Sequence, residues 1–237
     1  LDNKEDLLGN PATDGEVLLS TAAGVRSWAS LPIDSDTVIY VKQASDLSGT
    51  LDSTKLYVID GIIEMGTQSI EVPAGGLNIH GYTFDISGFT SSEAGYTLFT
   101  SPAGGSGNVL GIDFYVSVTG VGAKVFDLQD SDGTHAIEFQ RVNYNGCTSL
   151  GEVDNYRQWL EDGTGRFGGQ PSLTLTGAWS GGCLVTTSIV RGIDNAMTGA
   201  LFKAGAGFVM QSRFRTNMNA DLGTLAPLID FSDTNFP

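Results

Sequence analysis

The sequence is short of positive charge, cysteine and histidine, and each shortage closes off a class of function. Twelve lysines and arginines stand against 27 aspartates and glutamates, a formal net charge of -15 over 237 residues. A field of that sign repels phosphate backbones, so no nucleic-acid partner is expected. The basic residues are scattered as well, with Arg213-Phe214-Arg215 the nearest approach to a basic-aromatic cluster. Cys147 and Cys183 permit one disulfide at most; each follows a glycine and reads more simply as a free, buried thiol. His80 and His135 have no second His or Cys close by, so no zinc site is expected. No uninterrupted apolar run is long enough to span a bilayer, and no basic-then-apolar leader is recognisable. The chain starts at Leu1 rather than methionine, as a fragment or processed product of a longer protein would. Neither a phosphate-binding glycine loop with its lysine nor a Gly-x-Ser-x-Gly elbow occurs, and no cofactor or metal is expected. A charged share of 16% also leaves too little Lys, Arg and Glu for long surface helices.

Glycine is abundant instead, 32 residues against seven prolines, with no Gly-X-Y period. Residues 1–36 read as a separate segment. Leu1 to Leu8 suits one or two helical turns, Gly9 to Gly15 is dense in turn formers, and Glu16 to Ser20 is a strand candidate. This segment has too few apolar residues for a core of its own. Residues 37–237 read as the body. Thr37 to Val41, Lys55 to Ile63 and Ser69 to Val72 are β-branched or alternating runs closed by Gly, Asp or Ser. The exception is Glu152 to Leu160, where Tyr156, Trp159 and Leu160 fall at spacings that share a helical face; residues 150–169 are expected to bulge from the body.

An imperfect repeat runs through the body. Leu98-Phe99-Thr100, Val125-Phe126-Asp127 and Leu201-Phe202-Lys203 each precede a turn of small residues and a further apolar strand. Phe99 and Phe126 are 27 residues apart and Phe126 and Phe202 are 76 apart, close to three such units. A strand pair of this size cannot bury its apolar face alone, whereas coils stacked on one another line up apolar side chains in interior columns. The expected fold is therefore all-β, a right-handed, single-stranded parallel β-helix with a short N-terminal neck. Phe99, Phe126 and Phe202 should lie inside at comparable positions. A β-sandwich or jelly roll is the competing architecture.

The segment Gly9-Asn10-Pro11-Ala12-Thr13-Asp14-Gly15-Glu16-Val17-Leu18-Leu19-Ser20, continuing through Thr21-Ala22-Ala23-Gly24-Val25-Arg26-Ser27-Trp28, resembles the short linker before the distal domain of bacteriophage tail fibres and tailspikes. It covers about a tenth of the chain. The resemblance implies a homotrimer in a virion tail, among other tail proteins, that meets a bacterial surface glycan or another host receptor. No catalytic motif of that family can be placed on residues here. Val17, Leu18, Leu19, Val25 and Trp28 are the candidate oligomer contacts, because three copies can bury apolar side chains that one copy leaves wet, and Ala22, Ala23 and Gly24 allow close approach.

Sugar rings present apolar faces that suit flat aromatic side chains beside polar groups. Tyr144, Tyr156, Trp159 and Trp179, with Phe167 among them, are the candidate glycan contacts. Polysaccharide cleavage needs paired carboxylates. Asp113, Asp127, Glu138 and Asp230 lie in apolar runs, and Glu161 and Asp162 adjoin the expected bulge; solvated surface acids are the simpler reading of all six. Asp130-Ser131-Asp132-Gly133 looks like the start of a calcium loop but lacks the remaining oxygen donors, so an ordinary turn is expected. Three functions stay open: a non-enzymatic, receptor-binding part of a tail, a tailspike-like glycosidase or lyase, and a secreted β-helical carbohydrate-binding module.

Overall fold

The computed structural model describes residues 16–20, 26–30, 37–168, 172–191, 200–221 and 229–232. The chain divides into two compact units, Leu1–Val38 and Ile39–Pro237. In the first, β1 (Glu16–Ser20) and β2 (Arg26–Ser30) pair antiparallel, with Leu18 opposite Trp28. The helical turns expected at Leu1 to Leu8 lie outside the described residues, as does Val25.

The second unit is a parallel β-helix with three walls. Short strands separated by glycine-rich turns cannot stay flat and bury one face, so the chain winds and each strand pairs with its counterpart a coil later. Wall one stacks β3 (Val38–Val41), β4 (Leu56–Ile59), β7 (Leu77–Gly81), β10 (Val109–Ile112), β13 (Ala136–Gln140) and β16 (Gln158–Asp162). Wall two stacks β5 (Ile62–Glu64), β8 (Gly88–Ser91), β11 (Tyr115–Val118), β14 (Asn143–Asn145) and β17 (Gly165–Phe167). Wall three stacks β6 (Ile70–Glu71), β9 (Thr97–Thr100), β12 (Lys124–Gln129), β15 (Gly151–Asp154), β18 (Leu173–Thr176), β21 (Phe202–Ala204) and β24 (Ile229–Asp230). Walls one and two then merge, because β20 (Gly182–Arg191) runs across both with a shift of register between Thr186 and Ser188, and β23 (Phe214–Asp221) follows it. A smaller pair, β19 (Ala178–Trp179) and β22 (Val209–Met210), sits between walls. A 3₁₀ turn at Ala44–Leu47 is the helical element among the described residues.

The recurring phenylalanines share one coil position. In wall three, Ile70, Phe99, Phe126, Gly151, Leu173, Phe202 and Ile229 are successive register partners, at steps of 29, 27, 25, 22, 29 and 27 residues. Phe99 and Phe126 stack face to face with centroids 5.6 Å apart, and all three phenylalanines are fully buried. The irregular coil length is why the repeat is loose in sequence and regular in space.

The expected bulge is a correction. Residues 150–168 supply β15, β16 and β17, one strand to each wall, paired to the coil below and to the strand above. The Tyr156, Trp159 and Leu160 spacing mimics a helical face, but Asn155 turns the chain with a φ of 59° and the alternation from Gln158 to Asp162 then follows the wall. Trp159 and Glu161 point inward, and Leu160 points out.

Candidate functional site

All four aromatic residues expected to meet a glycan are core residues, at most 1% exposed. Tyr144 continues the inward column Val116, Tyr144, Arg166 on wall two. Trp159 continues Ile137, Trp159, Cys183 on wall one, its ring 5.5 Å from that of Phe126. The Tyr156 hydroxyl is hydrogen-bonded to that of Ser106, and Trp179 donates its indole N–H to the Thr176 carbonyl at 2.7 Å. Register forces this outcome: a residue on an inward position is buried whatever its chemistry, so these rings cannot stack on a sugar. For Val17, Leu18, Leu19 and Trp28 the hairpin supplies backbone register alone.

The carboxylates separate by environment. Glu161 is 1% exposed and receives the Arg166 guanidinium at 2.8 Å and the Thr164 hydroxyl at 3.4 Å. Arg166, also 1% exposed, reaches across the interior to the Leu201 carbonyl at 3.0 Å and lies over the Phe202 ring at 4.9 Å. This pair links all three walls and is closed to a substrate. Asp113 is held by two 2.6 Å bonds from Arg141, Asp127 meets Lys124 at 2.9 Å, and Glu138 accepts from Gln140 at 2.7 Å. Asp230 caps the Ser232 amide at 2.8 Å. Asp130 is buried as a turn brace: burial alone would raise its pKa, but bonds from the backbone and ring of His135 and from the Asp132 amide hold it below the ordinary carboxylate value. Among the described residues no group of three or more His, Cys, Asp or Glu is placed to hold a metal. Cys147 and Cys183 are free and buried; burial pushes the Cys147 thiol up to about 11 and raises Cys183 too, so both are inert protonated thiols.

The outer face of wall two carries a different arrangement. Its outward positions read Ile62, Gly88, Tyr115, Asn143, Gly165 along one line and Glu64, Thr90, Ser117 along the next, with Asn145 and Phe167 completing it. Two glycines clear the floor for the aromatic rings. A Cβ at Gly88 would meet the Tyr115 ring at 2.6 Å, and one at Gly165 would overlap the ring of Phe167. Both rings therefore lie against the sheet instead of standing off it. The loop between β7 and β8, closed by the buried Ser87 hydroxyl accepting the Tyr82 amide at 2.9 Å, hangs Phe84 and Asp85 over one side. The result is a groove of about 510 Å³ with Ile62, Phe84, Tyr115 and Phe167 as apolar surfaces and Asp85, Thr90, Ser117, Asn143 and Asn145 as polar ones. Partial burial, and next the Glu64 charge, raise the Tyr115 pKa, so its hydroxyl stays a donor. Of the sequence candidates only Phe167 belongs here. Tyr115 was hidden because its neighbours in space, Gly88 and Asn143, are each more than 25 residues away in the chain.

A second concavity, of about 340 Å³, is apolar and lies among Leu175, Phe202, Phe208, Phe214 and Ile229. Wall three, by contrast, presents an outward ladder of Glu71, Thr100, Asp127, Glu152, Thr174, Lys203 and Asp230. Compared with known proteins, the chain matches no family model, no curated protein and no solved structure.

Proposed function

We propose that this chain is a non-enzymatic host-recognition part of a bacteriophage tail, and that the wall-two groove takes a surface polysaccharide. The observation that supports this reading is the pairing of flattened rings with carboxamides and hydroxyls. Tyr115 and Phe167 offer apolar platforms for sugar C–H faces, while Asn143, Asn145, Thr90 and Ser117 offer donors and acceptors for ring hydroxyls. Such a site binds mainly by stacking and hydrogen bonding, as suits a neutral glycan approaching a protein of net charge -15. Asp85 is the one carboxylate among the described lining residues, whereas glycoside hydrolysis uses two, on the order of 5–10 Å apart. That balance favours binding over cleavage. The tail assignment rests on the resemblance of residues 9–28, and with it the expectation of a homotrimer among other tail proteins, which sedimentation equilibrium checks directly.

The test is binding of the chain to an array of purified bacterial surface polysaccharides. Tyr115→Ala and Phe167→Ala should each weaken the best interaction about tenfold, equivalent to about 1.4 kcal/mol, and no reducing ends or unsaturated sugars should appear. Unchanged binding in both variants removes the groove from the reading, and released sugar ends replace the binding protein with an enzyme.

A further inference from the structure

Where walls one and two meet at a corner, two residues suffice at Asp60-Gly61, Asp113-Phe114, Arg141-Val142 and Gly163-Thr164. Between β7 and β8 the same corner takes six, Tyr82 to Ser87. The parallel ladders close on both sides of this insertion, with Gly81 beside Ile59 and Gly88 beside Ile62 and Tyr115. Stacking therefore gains nothing from the extra residues, whose ordering costs conformational entropy. Insertions in a solenoid often mark the face that binds. The loop is held by its own bonds. The Thr83 carbonyl accepts the Ile86 amide at 3.3 Å and the Ser87 amide at 3.0 Å, and the Thr83 hydroxyl accepts the Asp85 amide at 3.3 Å. The Ser87 hydroxyl closes the loop onto Tyr82. A loop closed in this way presents its apolar side chains: Tyr82, Phe84 and Ile86 are all exposed, and Phe84 and Asp85 reach the wall-two groove.

We infer that loop 82–87 is the selectivity element of that groove: Phe84 adds a third ring against a bound sugar, and Asp85, with Glu64 on β5, turns away units that carry a carboxylate or phosphate. This rests on the glycan reading of the groove and narrows its ligand class to uncharged sugar units. No lysine, arginine or histidine is among the described lining residues. Neither Asp85 nor Glu64 forms an ion pair with a described residue. Glu64 reaches the floor of the groove, where it accepts the Thr90 hydroxyl at 2.7 Å, and after burial its charge is what raises the Tyr115 pKa. An anionic unit seated on Tyr115 would meet two carboxylates with no cation to offset them. Groups that share one groove lie within a screening length, about 10 Å at 0.1 M salt, so this repulsion is local. The net charge of -15 repels anions from the whole surface, whereas these two residues make the groove itself selective.

Equilibrium binding of the full chain to the best-binding polysaccharide of the array tests this, with the polymer in an uncharged and a carboxylate-bearing form. A neutral polymer gives the second form by oxidation of part of its primary hydroxyls, and an acidic one gives the first by reduction of its carboxyls to alcohols. At low salt the wild type should bind the uncharged form about fivefold more tightly, and high salt should narrow that gap. Asp85→Asn with Glu64→Gln should bring the ratio down to about twofold. Asp127→Asn with Glu152→Gln on wall three, an equal change of net charge, should leave the ratio in place. Phe84→Ala should weaken both forms about tenfold, with the ratio kept and the unfolding midpoint retained. Equal binding of the two forms, a ratio indifferent to the Asp85 and Glu64 substitutions, or one moved as far by the wall-three pair, overturns the selectivity. Phe84→Ala without effect overturns the part given to the ring. If Tyr115→Ala and Phe167→Ala weaken binding while these results fail, the groove still takes a glycan; if those two also have no effect, both readings fall together.

Discussion

Arg166 and Glu161 are the costliest residues in the interior, and their energetics depend on each other. Two ions in a buried interior are stabilised by their mutual attraction and by bonds such as those to Leu201 and Thr164. Removing one leaves a buried charge without its ionic partner. Arg166→Met should destabilise the fold by about 3–5 kcal/mol, and Glu161→Leu combined with Arg166→Met should recover most of that loss, both read from denaturant unfolding. A double variant as unstable as the single one would mean that the bond to Leu201, rather than the ion pair, holds the walls together. Glu161 was legible in the sequence as an acid and illegible as a buried one, since only its register with Phe139 and Val185 shows that it faces inward.

At the scale of an element, the interior columns are filled by trading volume between walls of one coil. Gly151 interrupts the Phe99 and Phe126 column, and in that same coil walls one and two contribute Trp159, Glu161 and Arg166. Gly151 has a φ of 85°, and an added Cβ would overlap the Phe126 carbonyl. Gly151→Ala therefore combines left-handed strain with a backbone clash and should cost roughly 3 kcal/mol or more, visible as a lowered midpoint in thermal unfolding. Alanine tolerated without loss would mean that the coil spacing adjusts more freely than a parallel ladder should. The corner between walls one and two shows the same economy: Asp113, Arg141 and Gly163 are stacked left-handed residues, tied by the Arg141 to Asp113 bonds, until β20 runs straight through and the corner is gone.

At the scale of the whole unit, the walls divide the chemistry: a groove of rings and amides on wall two and an acidic ladder on wall three. The ladder makes stability depend on pH. Partial desolvation first, then the Asp127 and Asp154 carboxylates against the pull of Lys124, raise Glu152 above its ordinary 4.5. A carboxyl raised by folding stabilises the native state below the unfolded value, and that contribution is lost as pH rises through the folded one. Asp46, Asp52, Asp130 and Asp230 are shifted down, so their contribution holds above about 3.8 and is lost in stronger acid. The unfolding midpoint should therefore rise as pH falls from about 7 towards about 5 and collapse below about 3.5. Glu152→Gln should flatten the first limb, modestly because the residue is exposed. A midpoint that falls steadily from neutral pH would show that the lowered aspartates dominate throughout.

The β-helix was legible because its cause is local and repeated: an apolar pair, a small-residue turn and an alternating strand recur from Leu98 to Met210, and no single unit can bury its own face. Free, buried cysteines were legible for a similar reason, as small side chains beside glycines. What only the tertiary structure decided is which side each residue faces, because one residue more or less in a turn reverses every side chain that follows. That is why Tyr144, Tyr156, Trp159 and Trp179 became core, why residues 150–168 became wall, and why Tyr115 came to lie over Gly88 from the coil before. Composition determined that the chain winds; the register of parallel strands, set from β4 onward by contacts 22 to 32 residues apart, determined what it presents to solvent.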